Sequence, residues 1–415
     1  MAGRLIRFMT PVKGFSRGDR RLLTLMYLTG VVQGFAQTQA VNTLPFSRLT
    51  FGLSEADMSQ VLAIARIGAL LAIVFSTMGD RYGRRRPFLL AFVMLFVASG
   101  ATAFVPSTNV NVYTFLQGAS RMGAAAVGTL AVVLLAEQLG PENRAWGISV
   151  YAAAVSFGSG IGLFALPVAR ADSESWRYLF AASFIGLILY PLLTSKLPES
   201  KAFKIPERRI SPLAVFTGAQ AGVFWLLAVF SLLVAAFSVI VVTFALERLV
   251  NDLGWTTTQA SAVMLLGGTA GGIGFFAGGR MADSLGRKAT INLSLLMGLV
   301  GGLAFYWIEN PVLVVPAVAV SSFGSFAAIP AIGAQRNELF PTGVRANAVQ
   351  WLNSVGVLGS IAGLTVGTIT IDQYGLPTTV AMLGAGMVLA VFVMAAVPET
   401  LGSQINAQGP SLRST

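Results

Sequence analysis

The sequence predicts an all-α membrane protein of twelve transmembrane helices in two pseudo-symmetric six-helix bundles. Three observations carry that prediction. The 415 residues are 55% hydrophobic and only 11% charged, where a soluble domain carries about 25% charged residues. Mean hydropathy is +0.73, and the apolar residues fall into twelve runs of about 20 residues, the length that spans a bilayer core. The second half of the chain also repeats the charged motifs of the first.

Taken in order, the runs lie near 22–44, 58–78, 88–106, 112–136, 145–167, 177–196, 221–246, 260–280, 289–308, 312–335, 346–371 and 376–397. The loops between them are short and hold Pro, Gly, Asn or charge. This divides the chain into an N-terminal segment (1–21), a first bundle (22–197), a linker (198–219), a second bundle (220–397) and a tail (398–415). The first run is longer than the 7–15 residues of a signal-peptide core and eleven more follow it, so it reads as a retained anchor.

The formal net charge is +11, and position explains it. Twenty-two of the 28 basic residues fall before span 1, in the loops after spans 2, 4, 6, 8 and 10, or in the tail, with Arg336 counted in the loop after span 10. Only Arg48, Arg170, Arg177 and Arg248 fall on the other side. The positive-inside rule then places both termini in the cytoplasm, with the protein multi-pass in the plasma membrane. The basic residues form no aromatic-interleaved patch, so no nucleic-acid partner is expected; the partners expected are the lipid bilayer and a small-molecule substrate.

Composition excludes much chemistry. With 0 Cys and 0 His there is no disulfide, thiolate or imidazole metal site, and no Ser-His or Cys-His catalysis. Gly271-Gly272-Ile273-Gly274 lacks the strand–turn–helix context and following Lys of a phosphate loop. The Gly runs at 267–279 and in span 11 read instead as close helix packing. The chain is expected to be no enzyme, to need no cofactor or metal, and to work as a monomer.

The repeat has an offset of about 200 residues, the signature of parallel six-helix halves with a substrate site between them at mid-depth. Gly79-Asp80-Arg81-Tyr82-Gly83-Arg84-Arg85 stands after span 2, and Ala282-Asp283-Ser284-Leu285-Gly286-Arg287-Lys288 after span 8. Glu137 precedes Arg144 around Pro141, as Glu338 precedes Arg345 around Pro341. Span 6 closes with Pro198-Glu199-Ser200 and span 12 with Pro398-Glu399-Thr400.

In these motifs the sequence resembles the major facilitator superfamily along its whole length, with endings similar to the sugar-porter and metabolite–proton symporter branches. The resemblance implies alternating access, with Asp80, Arg81, Gly83, Arg84, Glu137, Arg144, Asp283, Gly286, Arg287, Glu338 and Arg345 gating the cytoplasmic side. There are departures. Ser76 replaces the first Gly of the signature, which predicts looser packing there. Ser284 replaces an Arg, which predicts a weaker second charge network. Where aromatic-acid symporters carry two acids in span 1, this chain reads Gln33-Gly34-Phe35-Ala36, and the family's span-4 arginine falls on Gln117.

Two arginines lie within spans. At 1.5 Å per residue, Arg66 is ~21 Å and Arg121 ~24 Å from the cytoplasmic end, in the outer half of the core. An arginine there keeps its charge at a cost of several kcal/mol if unpaired, so both are candidates for holding an anionic group; the alternative is snorkelling or pairing with Glu55, Asp57 or Glu247. Gln33, Gln37, Gln117, Gln350 and Asn353 are candidate polar ligands. No acid is placed at mid-depth, so proton coupling rests on Glu247, and uniport or exchange with a counter-transported anion stands beside proton symport. The expected function is a secondary active or facilitative transporter of a small polar, anionic organic solute. An exporter of drugs or metabolites is the alternative within the superfamily, and a non-transporting solute sensor the alternative of another class.

Overall fold

The computed structural model describes residues 10–53, 55–165, 168, 172–203, 213–217, 219–245 and 248–403. Glu247 and residues 204–212 and 218 of the linker fall outside them. The described chain is helical and makes twelve passes: Arg17–Asn42; Glu55–Leu71 continued by Ile73–Tyr82; Arg85–Ala101; Val110–Gln138; Arg144–Phe164; Trp176–Ala181 continued to Lys196; Ala221–Thr243; Thr257–Leu285; Arg287–Trp307; Pro311–Leu339; Arg345–Tyr374; and Leu376–Ala396. These are spans 1 to 12 below. Ten are long and apolar enough to cross a membrane by length and composition alone. Spans 1 and 8 start on capping boxes, Ser16 with Asp19 and Thr256 with Gln259, which satisfy helix-end N–H groups that have no partner within the helix.

The halves repeat each other in packing as well as in motif. Spans 1 and 5 meet backbone to backbone: a Cβ on Gly34 would stand 1.9 Å from the Val155 carbonyl oxygen, and one on Gly158 1.9 Å from that of Val31. Spans 7 and 11 meet in the same way, Gly359 on Leu232 and Gly363 on Ala236, each with 2.4 Å to the carbonyl oxygen. Spans 2 and 4 close on Gly68, where a Cβ would stand 1.9 Å from the Gly118 carbonyl oxygen, and spans 8 and 10 on Gly278, where one would stand 2.1 Å from that of Ala327. Small residues let apolar helices gain dispersion contact where no hydrophobic effect drives them together. Any larger residue at these four contacts forces the pair apart.

Between the halves, span 2 packs on span 11 through its Ile73–Tyr82 segment, and span 5 packs on spans 8 and 10. The two contacts differ. Gly279 of span 8 sits against span 5, where a Cβ would meet Ser149 Oγ at 2.0 Å. Its counterpart in span 2 is Ser76, fully buried with no hydrogen-bond partner for its hydroxyl.

Candidate functional site

Two buried charge clusters close one end of the bundle, the end that carries the 2–3 and 8–9 loops. In the first, Arg84 donates to Asp80 at 2.8 Å and to Glu137 at 3.1 Å, with both carboxylates on its own half. From the other half, Arg345 pairs with the same Glu137. Arg84 also donates to the Thr342 carbonyl at 2.6 Å. The second cluster repeats this in mirror role. Arg287 donates to Asp283 at 2.6 Å and Glu338 at 3.0 Å, Arg144 crosses to Glu338 at 2.5 Å, and Arg287 reaches the Pro141 carbonyl at 2.7 Å.

The aspartates do a second job. Asp80 accepts from the backbone N–H groups of Ala346 (3.1 Å) and Asn347 (2.9 Å), capping span 11 across the boundary between halves. Asp283 accepts from Ala145 (3.1 Å) and Trp146 (2.9 Å), capping span 5. An acid at a helix N-terminus is favoured by the helix dipole, so each half holds the other's helix end.

The Pro-Glu endings complete both clusters. Glu199 accepts from Arg84 N at 2.7 Å, and Glu399 from Arg287 N at 3.0 Å and Lys288 N at 3.0 Å. These carboxylates lie over Gly83 (φ +95°) and Gly286 (φ +111°), where a Cβ would meet them at 2.5 and 2.9 Å. Ser200 and Thr400 donate to Glu137 and Glu338. Arg81 is exposed and joins no ion pair among the described residues. Ser284 therefore removes no ion pair from the second cluster, whose ion pairs match those of the first; the weakening expected of it does not occur, because the innermost arginine carries the pairing.

Above the clusters, between the halves, lies a cavity of about 660 Å³. Its walls are mostly apolar and aromatic, including Phe230, Phe275 and Phe326, with the last two stacked at 4.9 Å. A polar strip crosses them. Thr129 donates to Gln350 Oε1 at 2.6 Å, Asn353 donates to Thr129 at 3.2 Å, and Gln350 donates to the Ala69 carbonyl at 3.2 Å. Gln33 donates to the Ala124 carbonyl at 3.0 Å and accepts from the Tyr151 hydroxyl.

The strip ends on Arg336, the one charged residue among the described residues lining the cavity. Its guanidinium donates to Ser231 Oγ at 2.7 Å and Asn353 Oδ1 at 3.1 Å, both neutral, and its Nε has no partner. No carboxylate among the described residues pairs with it. The sequence places Arg336 in the loop after span 10; span 10 instead runs helical to Leu339, which puts Arg336 in its last turn with the side chain in the cavity.

The other sequence candidates separate. Gln33, Gln350 and Asn353 come together in the cavity wall. Gln37 is one turn outward from Gln33 on span 1. Gln117 is buried inside the first bundle, donating to Thr102 Oγ1 at 2.8 Å. Neither Arg66 nor Arg121 borders the cavity; Arg66 is exposed and Arg121 half-buried. Arg121 nevertheless stands one helical turn outward from Ala125, on the stripe that continues through Gly128 and Val132 into the cavity wall. Sequence reasoning missed Thr129, Tyr151, Ser231 and Arg336. For Arg336 a signal was available: the matching place in the first half is Leu135, wholly buried and apolar.

Comparison with known proteins agrees with this geometry. A family model described as Major Facilitator Superfamily matches residues 26–364 and 229–406. The chain is 27% identical over 400 residues to a gallate transporter of Pseudomonas putida, covering 88% of each chain. It is 27% identical over 406 residues to a 3-(3-hydroxy-phenyl)propionate transporter of Escherichia coli, covering 91% of this chain and 95% of that one. In fold it is similar to the proton:xylose symporter XylE, with a TM-score of 0.76 at 18% identity over 93% of this chain and 97% of that one. With the family model spanning both halves and the paired clusters, the chain belongs to the Major Facilitator Superfamily and is a multi-pass membrane transporter.

Proposed function

We propose that the protein carries an organic anion, an aryl carboxylate, by alternating access, with Arg336 holding the carboxylate. The observation that carries this is a guanidinium in the central cavity between two neutral partners, with no acid beside it among the described residues. An uncompensated charge in a low-dielectric cavity is costly, and an incoming carboxylate relieves it through charge-assisted, bidentate hydrogen bonds. Phe230, Phe275, Phe326 and Tyr151 offer apolar and aromatic faces to a ring, while Gln33, Thr129, Gln350 and Asn353 offer donors and acceptors to its hydroxyls. The substrates named for the two relatives, gallate and 3-(3-hydroxyphenyl)propionate, are of this chemical class.

The paired clusters act as the gate. Glu137 and Glu338 each bond one arginine of their own half and one of the other, so rocking the bundles apart breaks Arg345–Glu137 and Arg144–Glu338 and leaves Arg84–Glu137 and Arg287–Glu338 in place. Each carboxylate stays compensated in both states, which keeps the gate reversible. The bundles that rock are 22–197 and 220–397. By the distribution of basic residues the clusters face the cytoplasm, both termini lie there, and the membrane is the plasma membrane. The state described here is then closed to the inside. Arg66 and Arg121, in the outer part of spans 2 and 4, draw anions toward the cavity by their field.

The test is thermal stabilisation and uptake by the purified protein with gallate, 3-(3-hydroxyphenyl)propionate and benzoate against benzamide and xylose. The carboxylates stabilise and enter while the uncharged compounds do neither; stabilisation by xylose or benzamide alone would refute the anion reading.

A further inference from the structure

We propose that this carrier is an obligatory exchanger, in which an anion crosses in one direction only in return for an anion crossing back. The proposal rests on the anion reading above and deepens it. Between its two faces an alternating-access carrier passes through a state closed at both ends, in which the cavity is cut off from bulk water. Arg336 must make that passage charged, since a guanidinium does not give up its proton in proteins. Its partners are Ser231 Oγ and Asn353 Oδ1, its Nε has none, and apolar and aromatic side chains make up most of the surrounding wall.

Among the described residues no acid is free to help. Glu338, two residues along span 10, is bound by Arg287 at 3.0 Å within its own half and by Arg144 at 2.5 Å across the boundary. Opening the gate removes Arg144 and leaves Arg287, so Glu338 stays paired. Among the described lining residues the only other ionisable group is Tyr151, whose hydroxyl donates to Gln33. A carrier with an acid beside its arginine returns empty with the two charges cancelled. Here nothing among the described residues cancels the charge, and the transported carboxylate does so. The loaded carrier crosses the closed state and the empty one is held on one face.

The experiment compares uptake of labelled gallate, 3-(3-hydroxyphenyl)propionate and benzoate into proteoliposomes preloaded with the same unlabelled anion and into empty ones. Preloading raises the initial rate at least about 10-fold, the ratio set by one decade in the return barrier, and an acid-outside pH gradient leaves the empty vesicles silent. Asn353→Asp places a carboxylate beside Arg336 and brings the preloaded-to-empty ratio toward one; Ser231→Asp does so from the other side if the first variant does not fold. Equal uptake into both kinds of vesicle, or uptake into empty vesicles driven by the pH gradient, overturns exchange and leaves the anion reading standing. A ratio unmoved in either folded variant also overturns it. No uptake and no thermal stabilisation with any of the three anions overturns the anion reading, and exchange with it.

Discussion

Arg144 reaches out of the first six-helix half to place Nη1 2.5 Å from Glu338 Oε1 in the second, with both side chains nearly or wholly buried. The repeat supplies the reciprocal pair, Arg345 to Glu137. In the gating proposed above, each of the two clusters consists of an intra-half pair that stays and a cross-half pair that breaks.

Locking this end stops transport. Thr77 Oγ1 of span 2 donates to Asn347 Oδ1 of span 11 at 2.8 Å, across the boundary. The chain has 0 Cys, so a Thr77→Cys/Asn347→Cys pair is a clean cross-link. Oxidation abolishes uptake in proteoliposomes and reductant restores it, while thermal stabilisation by substrate survives oxidation. Full uptake in the oxidised, cross-linked protein contradicts the rocking motion.

Arginines three residues apart in the same motif separate by burial. Arg84→Ala and Arg287→Ala each leave two buried carboxylates short of a partner, and removing one member of a buried pair costs about 3–5 kcal/mol. Arg81→Ala touches an exposed side chain outside the network and stays within about 0.5 kcal/mol of the parent. Thermal unfolding in detergent reads the difference. Equal losses for Arg81 and Arg84 would show that the motif acts through its overall charge and not through the inner guanidinium.

The steering proposed for the outer arginines is a long-range effect that depends on salt. Arg66→Gln/Arg121→Gln raises KM for an anionic substrate at low ionic strength and leaves kcat near the parent value. The gap closes as the Debye length shrinks from about 30 Å at 0.01 M to about 8 Å at 0.15 M. A fall in kcat that salt does not alter would place one of them in contact with substrate.

The fold was legible because its determinants are local or repeated. Run length marked the spans, and duplicated Asp, Glu and Arg at matched offsets marked the paired charge clusters, down to Glu199 and Glu399, which cap the helices after Gly83 and Gly286. The cavity was legible only in part. Gln33, Gln350 and Asn353 stand out as amides within apolar runs, but Thr129 and Ser231 look like ordinary helix residues until facing helices bring them together. Arg336 was hidden by the end of its helix: a basic residue near a loop reads as topology, and only the helix running on to Leu339 turns it inward. Depth estimates along single helices give a level for Arg66 and Arg121 but do not fix which face they turn to the cavity, and neither residue lines it.

The most direct measurement is the affinity of detergent-solubilised protein for gallate and 3-(3-hydroxyphenyl)propionate, compared among the parent, Arg336→Gln and Arg121→Gln, with folding verified for each. Removing one partner of a buried charge-assisted pair costs about 2–5 kcal/mol. Arg336→Gln therefore weakens binding by about 30-fold or more, while Arg121→Gln changes it by less than about 3-fold. Parent-like affinity in folded Arg336→Gln would contradict the assignment of the carboxylate to this residue.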